Sequence, residues 1–194
     1  DKDCFASWWA RLPEGSTIVV QPKVEGFAIG LRYKYGQLVE AYSRKGCKII
    51  ENIRTIKAIP LNIDDSLKVE VELEGILYSP ASNSKISLEQ LLSNSFSKID
   101  NNTSLLFKAF QIFCSKSDEL SDLTQLQNWG FEVPITLRTD DPRQVKRWHS
   151  QWIKNKLFSN LPTNGIVAKC NSSLTKNFLG VIPSSPIWAL ALTR

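Results

Sequence analysis

Apolar and polar residues alternate most regularly in three stretches of the first 80 residues. Over 16–22, Ile18 and Val20 share a face, and over 27–33 Phe27, Ile29, Leu31 and Tyr33 lie opposite Ala28, Gly30 and Arg32. A period of two predicts strands with one buried side. Tyr35-Gly36 predicts a hairpin turn into a third strand, "QLVEAYSR". The alternation is strictest in "VEVELE", 69–74, where Val69, Val71 and Leu73 are expected to face a core and Glu70, Glu72 and Glu74 the other side.

The period then lengthens. "SLEQLLSNSF" opens with Ser87 and has Gln90 three residues on, a capping box that predicts a helix. Residues 118–129 place Leu120, Leu123 and Leu126 on one stripe and stop at Gly130. "DDPRQVKRWHSQWIKN" offers Asp140 or Asp141 as N-cap and Pro142 in the first turn. Its expected buried stripe is Val145, Trp148 or His149, Trp152 and Ile153. Strands return at "GIVAKC" (165–170) and "PIWALAL" (186–192). Strands, then helices, then strands indicate an α+β fold with mainly antiparallel sheets. No repeat or linker interrupts the pattern, so residues 1–194 read as a single domain.

Composition narrows the class. A chain of 194 residues that is 42% hydrophobic can bury its own core. No apolar run approaches the roughly 20 residues of a membrane span, and "DKDCFASWWARLPEG" lacks a signal-peptide pattern. The expectation is a soluble, intracellular protein with no membrane partner. The four cysteines never form a CxxC pair, which argues against zinc or redox motifs and for reduced thiols. The complete lack of methionine reads as a fragment or a chain with residues missing. A net charge of +5 suits a polyanionic partner, although the spread of basic residues also fits a solvated surface.

The densest chemistry is in "PKVEG". Lys23 ends an apolar strand, Glu25 follows one residue later, and in extended chain both would point to one side. Lysine attacks carbonyl carbon or phosphorus only where its surroundings favour the free amine, and the product is a covalent lysyl intermediate. The bare pattern by itself favours the plainer reading, a solvated lysine at a strand end.

The neighbouring segments favour the nucleophile. "VQPKVEGFAIGLRYKYGQLVEAYSRKG" resembles the adenylation (nucleotidyltransferase) core of NAD-dependent DNA ligases, with its Glu-Pro-Lys-x-Asp-Gly motif, hairpin and Thr-Arg-Gly-Asp-Gly. "ENIRTIKAIPLNI", "VELEGILYSP", "LLFKAFQIF", "LQNWGFEVP", "NGIVAKCNS" and "LGVIPSSPIWALALTR" continue the likeness in order, over about residues 5–194. The resemblance implies a ligase-type nucleotidyltransferase core, the ATP-grasp-like DNA ligase fold of antiparallel sheets flanked by helices. It implies that Lys23 forms lysyl-AMP, with NAD or ATP as AMP donor and Mg²⁺ as helper, and that the AMP passes to nicked or broken DNA during replication or repair. By the same resemblance Gln21 would meet the adenine amino group and Phe110 would stack on adenine. Arg44 would contact the ribose or phosphate end, Lys169 the α-phosphate, and Glu25 would orient metal or nick. No residue is assigned as a metal ligand, and the implied location is the cytoplasm of a bacterium, near the nucleoid.

Five positions depart from the family pattern, the first being Gln21, which stands where it has glutamate, an exchange that keeps an acceptor oxygen. Glu25 and Asn164 each stand where it has aspartate, Ile76 where it has the ribose-binding glutamate, and Thr193 where it has the last lysine. Glu74 could replace the missing glutamate only through a bulge at Gly75, and Arg194 would point away from Lys23 unless the register shifted. The family's N-terminal nicotinamide-mononucleotide-binding module and its OB, zinc, helix-hairpin-helix and BRCT modules have no counterpart here. A separate chain that supplies them is one expected partner, beside the reading of the sequence as a fragment. Two readings stay open: an adenylating enzyme, or a nucleic-acid-binding pseudoenzyme that keeps the fold.

Overall fold

The computed structural model describes residues 2–63, 69–80, 105–182 and 185–194. The helix expected in "SLEQLLSNSF" lies outside them. The chain forms two compact units. The first comprises Asp1–Val24, Ser115–Ser121 and Ile135–Arg194, and the second Glu25–Cys114 and Asp122–Pro134. No helix of the described residues is long and apolar enough to cross a membrane.

In the first unit, β1 (Ile18–Val24) is central to an antiparallel sheet. It lies between β6 (Leu137–Thr139) and β7 (Thr163–Cys170), with β10 (Ala189–Leu192) beyond β7. Alternation divides the sheet into two faces. Ile18, Val20, Ile166, Ala168 and Cys170 form a core with Phe5 and Trp8 of α1 (Lys2–Trp9) and Val145 and Trp152 of α4 (Pro142–Ile153). Trp8 is anchored in this core and donates its Nε1–H to the Ile187 carbonyl at 3.0 Å. Helix α4 begins as the sequence predicts. Asp141 is the N-cap, accepting the Arg143 N–H, and Pro142 supplies the first turn, where no donor is missed. Ile153, expected in the buried stripe, is 43% exposed, because it sits one residue round the helix from Trp152. The strand expected over 186–192 also divides. Ser185–Pro186 (β9) pairs with Val181–Ile182 (β8), and β10 starts at Ala189 after Trp188 turns into the core. Between β7 and β8 lies α5 (Ser173–Leu179), which the apolar pattern does not predict.

In the second unit the strand order is β3-β2-β4-β5, all antiparallel. The strands are β2 (Phe27–Lys34), β3 (Gln37–Ser43), β4 (Glu70–Tyr78) and β5 (Leu106–Ile112). The β2–β3 turn is Tyr35-Gly36 as predicted, both with positive φ (50° and 77°), as a two-residue hairpin loop of type I′ requires. Ile29, Leu31, Tyr33, Leu73, Leu77 and Phe107 are buried on one face of the sheet. The segment "ENIRTIKAIPLNI" begins within the short helix α2 (Ile50–Ile53) and buries Ile53, Ile56, Ile59 and Ile63. Its Pro60 carbonyl accepts the Tyr33 hydroxyl at 2.6 Å. Helix α3 (Glu119–Asn128), which belongs to this unit from Asp122 on, buries Leu123 and Leu126 and ends before Gly130, at φ 88°. Val69 is not in the core: it is 62% exposed and precedes β4, because Lys34↔Glu70 is the last pair before the Tyr35 turn.

Candidate active site

In the first unit the second face of the sheet collects the polar residues. Val19 pairs with Lys169 and Gln21 with Val167, so Lys169 rises on the side of Val19 and Gln21, away from the Ile18–Val20 core. Gln21 is buried and donates Nε2–H to Thr136 Oγ1 at 3.0 Å. That bond uses the donor end of the amide, whereas the adenine reading requires the acceptor end. Lys23 is half-buried at a register shift between Pro22 and Val24. Its Nζ donates to Asn164 Oδ1 at 2.7 Å. Asn164, noted in the sequence only as a departure, thus touches the candidate nucleophile with a neutral amide.

Lys169 is only 7% exposed, and its Nζ lies 2.6 Å from Glu119 Oε1. The other oxygen of Glu119 accepts from Lys176 of α5, whose ammonium also lies over the Trp188 ring. Burial works against the Glu119 charge, but the two ammonium groups outweigh it and hold the carboxyl below the usual glutamate range. Neither Glu119 nor Lys176 stands out in the sequence. An acid at a helix start and a lysine in "SLTKN" resemble ordinary surface charges, and only the fold joins residues 50 and 57 positions apart.

The strand β10 ends beside this sheet. Its register with β7 is unbroken from Ala189↔Lys169 to Leu192↔Ile166. The Thr193 carbonyl lies 2.9 Å from His149 Nε2, and the Arg194 guanidinium sits 5.6 Å from the centre of the Trp152 ring. Arg194 is therefore on the helix-covered side, and no register shift brings it round to the face of Lys23. His149 stacks on Trp152.

The remaining candidates belong to the second unit. Glu25 is exposed and falls after the end of β1, so the alternation expected to align it with Lys23 stops short of it. The glycine of "PKVEG" has a steric reason: a Cβ on Gly26 would overlap the Leu77 carbonyl of β4. Arg44 is exposed in the turn after β3, which is closed by Ser43 N–H to Cys47 O (2.9 Å) and Gly46 N–H to Ser43 O (2.8 Å). Glu74 pairs with Gly30 and Gln111. The β2–β4 register runs unbroken from Phe27↔Leu77 to Lys34↔Glu70, so the bulge imagined at Gly75 is not in β4. The shift lies in β5, where Gly75 pairs with Ala109 and Glu74 with Gln111, leaving Phe110 as the extra residue. A bulge re-aims its side chain, and here it acts on half-buried Phe110 rather than on Glu74. Ile76 keeps its place, between Ala28 and Lys108.

Among the described residues, no three His, Cys, Asp or Glu side chains gather as a metal site.

Comparison with known proteins bears on the fold and the family. The chain is 28% identical to a DNA ligase of Mycoplasma genitalium and 25% identical to one of Shewanella frigidimarina. Both matches cover 89% of this chain but only 29% and 30% of the relatives, so it spans less than a third of their length. Among solved structures, an archaeal ATP-dependent RNA ligase superposes with a TM-score of 0.61 at 12% identity, over 96% of this chain and 44% of that one. The ligase domain of M. tuberculosis LigD gives 0.52 at 16% identity, over 80% and 49%. These likenesses establish the fold, a mixed α and β ligase nucleotidyltransferase architecture with antiparallel sheets. The model of the NAD-dependent DNA ligase adenylation domain matches residues 2–103, more than half of the sequence. The chain belongs to the NAD-dependent DNA ligase adenylation domain family.

Proposed function

We propose that this chain is a ligase-type nucleotidyltransferase that forms lysyl-AMP on Lys23 and serves nick sealing in DNA. The Lys23 amine would attack the α-phosphorus of NAD or ATP. A P–N bond forms, the bond from the α-phosphorus to its bridging oxygen breaks, and nicotinamide mononucleotide or pyrophosphate leaves while the amine proton passes to solvent. The AMP would next move to a 5′-phosphate at a nick, breaking the P–N bond. The adjacent 3′-hydroxyl would then displace AMP and join the strands. Charge on the phosphoryl oxygens grows in each step, which fixed cations stabilise. Lys169 would face the α-phosphate, Gln21 and Phe110 the adenine, Arg44 the ribose or phosphate end, and Glu25 the metal or the nick, with Glu74 a further candidate for the nucleotide.

The observation that carries this reading is the sheet face on which Lys23, held by Asn164 at 2.7 Å, follows Gln21 on the strand paired with that of Lys169. The test is incubation with radiolabelled NAD or ATP and Mg²⁺. Label is expected on the protein and none on Lys23→Ala; a wild type that takes label from neither nucleotide overturns the proposal.

A second reading has its own observations. Ile76 remains apolar at the ribose position, and Arg194 lies against Trp152 instead of replacing a lysine at Thr193. A pseudoenzyme would bind nicked DNA through its net positive charge. Binding would survive Lys23→Ala and weaken steeply with added salt.

A further inference from the structure

Glu119 is among the most deeply buried carboxylates of the described residues, and its fastening is unusually complete. Its own N–H donates to the Asn171 carbonyl at 2.9 Å, and the next N–H, of Leu120, to Asn171 Oδ1 at 3.0 Å. Asp118 Oδ1 accepts the Ser173 N–H at 2.8 Å. Residues 118–120 are thereby pinned to the segment that leaves β7, two residues beyond Lys169. The carboxylate then reaches back to Lys169 with one oxygen and to Lys176 with the other. One carboxylate thus bonds two ammonium groups, so the bond that orients Lys169 does not take up the whole of the Glu119 charge.

We infer that Glu119 is a positioning residue that aims Lys169 at the nucleotide phosphate, with Lys176 as its counter-charge. The inference rests on the nucleotidyltransferase reading above and adds to it a residue and a device. A long, four-carbon side chain fixed at its tip loses the rotamer freedom that would otherwise be lost on binding. Without Glu119, two neighbouring lysines would repel each other in a site of low dielectric and turn apart. Since a misplacement of about 1 Å can cost about 100-fold in rate, the orienting bond matters even though Glu119 would touch no substrate.

The test compares wild type, Glu119→Gln, Glu119→Asp, Lys169→Ala and the double variant Glu119→Gln/Lys169→Ala for transfer of label to Lys23 and for binding of AMP and adenosine. Glu119→Gln is expected to lower the labelling rate on the order of 10- to 100-fold and to weaken AMP but not adenosine. Glu119→Asp should recover part of the rate, and the double variant should be no slower than Lys169→Ala, which a merely structural role would not produce. Should Glu119→Gln fail to fold, Lys176→Met carries the test: it removes the second ammonium partner of Glu119, leaves the Lys169–Glu119 pair, and should also slow labelling. A wild type that labels while Glu119→Gln labels equally fast or faster overturns this inference alone. A wild type that takes no label and binds no AMP overturns the nucleotidyltransferase reading and this inference with it.

Discussion

Replacing Thr193 with lysine would return an ammonium group to the one position of the terminal motif where this chain lacks it. The side chain is exposed and its backbone is tied through the carbonyl beside His149, so the substitution should leave stability nearly unchanged. Loss of a single preorganised charge donor costs on the order of 100-fold in comparable sites. Thr193→Lys is therefore expected to raise the initial rate of label transfer to Lys23 by roughly 10- to 100-fold. An unchanged rate would show that the missing lysine does not limit the chain. Several of these residues were legible one at a time. Lys23, Gln21 and Lys169 could be singled out because each sits in a motif with its own place in the order along the chain. Asn164 was legible only as an odd residue, since its bond to Lys23 spans 141 positions.

Among the elements, α5 shows how little apolar burial some helices of this fold use. None of its residues is buried, and Leu174 and Phe178 are 80% and 88% exposed. Apart from Leu179, which packs against the core, polar contacts hold it: Ser172 Oγ accepts the Thr175 N–H at 3.3 Å, Asp118 accepts the Ser173 N–H, and Lys176 reaches Glu119. This is also why the apolar pattern misses it. Ser172→Ala removes the cap and should lower unfolding free energy by about 1 kcal/mol, measured by urea denaturation. No change would mean that α5 frays separately from the rest of its unit. By contrast, β1, β2 and α4 were readable to within a residue or two. A two-residue period, a Tyr-Gly turn, and Asp-Pro at a helix start all act over neighbouring residues.

For the whole molecule, the buried Glu119 cluster couples folding to pH. Burial raises its carboxyl and the two lysines lower it further, so the folded value lies below that of the unfolded chain. The unfolded state therefore takes up the proton first as the medium is acidified. The stabilisation is complete above the unfolded glutamate value and is lost as pH falls through the folded one. The melting temperature of wild type should fall more between about pH 5 and pH 3 than that of Glu119→Gln. Asp141, also lowered, chiefly by its side-chain hydrogen bond with Arg143, contributes alike to both proteins. Parallel pH curves for the two would refute the coupling.

The amino-acid order alone established the α+β class, most strand and helix positions, and membership in the ligase adenylation family. Those features depend on local periodicity, turn chemistry and a series of motifs, each contained in a short window. Three matters waited for the folded chain. Phe110, not Gly75, marks the bulge, because a bulge is a mismatch between two strands and is not visible in either one. Arg194 turns to Trp152, because the β10–β7 register sets which side each terminal residue faces. Lys169 is oriented by Glu119 and Lys176, because a buried charge must find its partners in space, and here they come from helices 50 positions before it and 7 after.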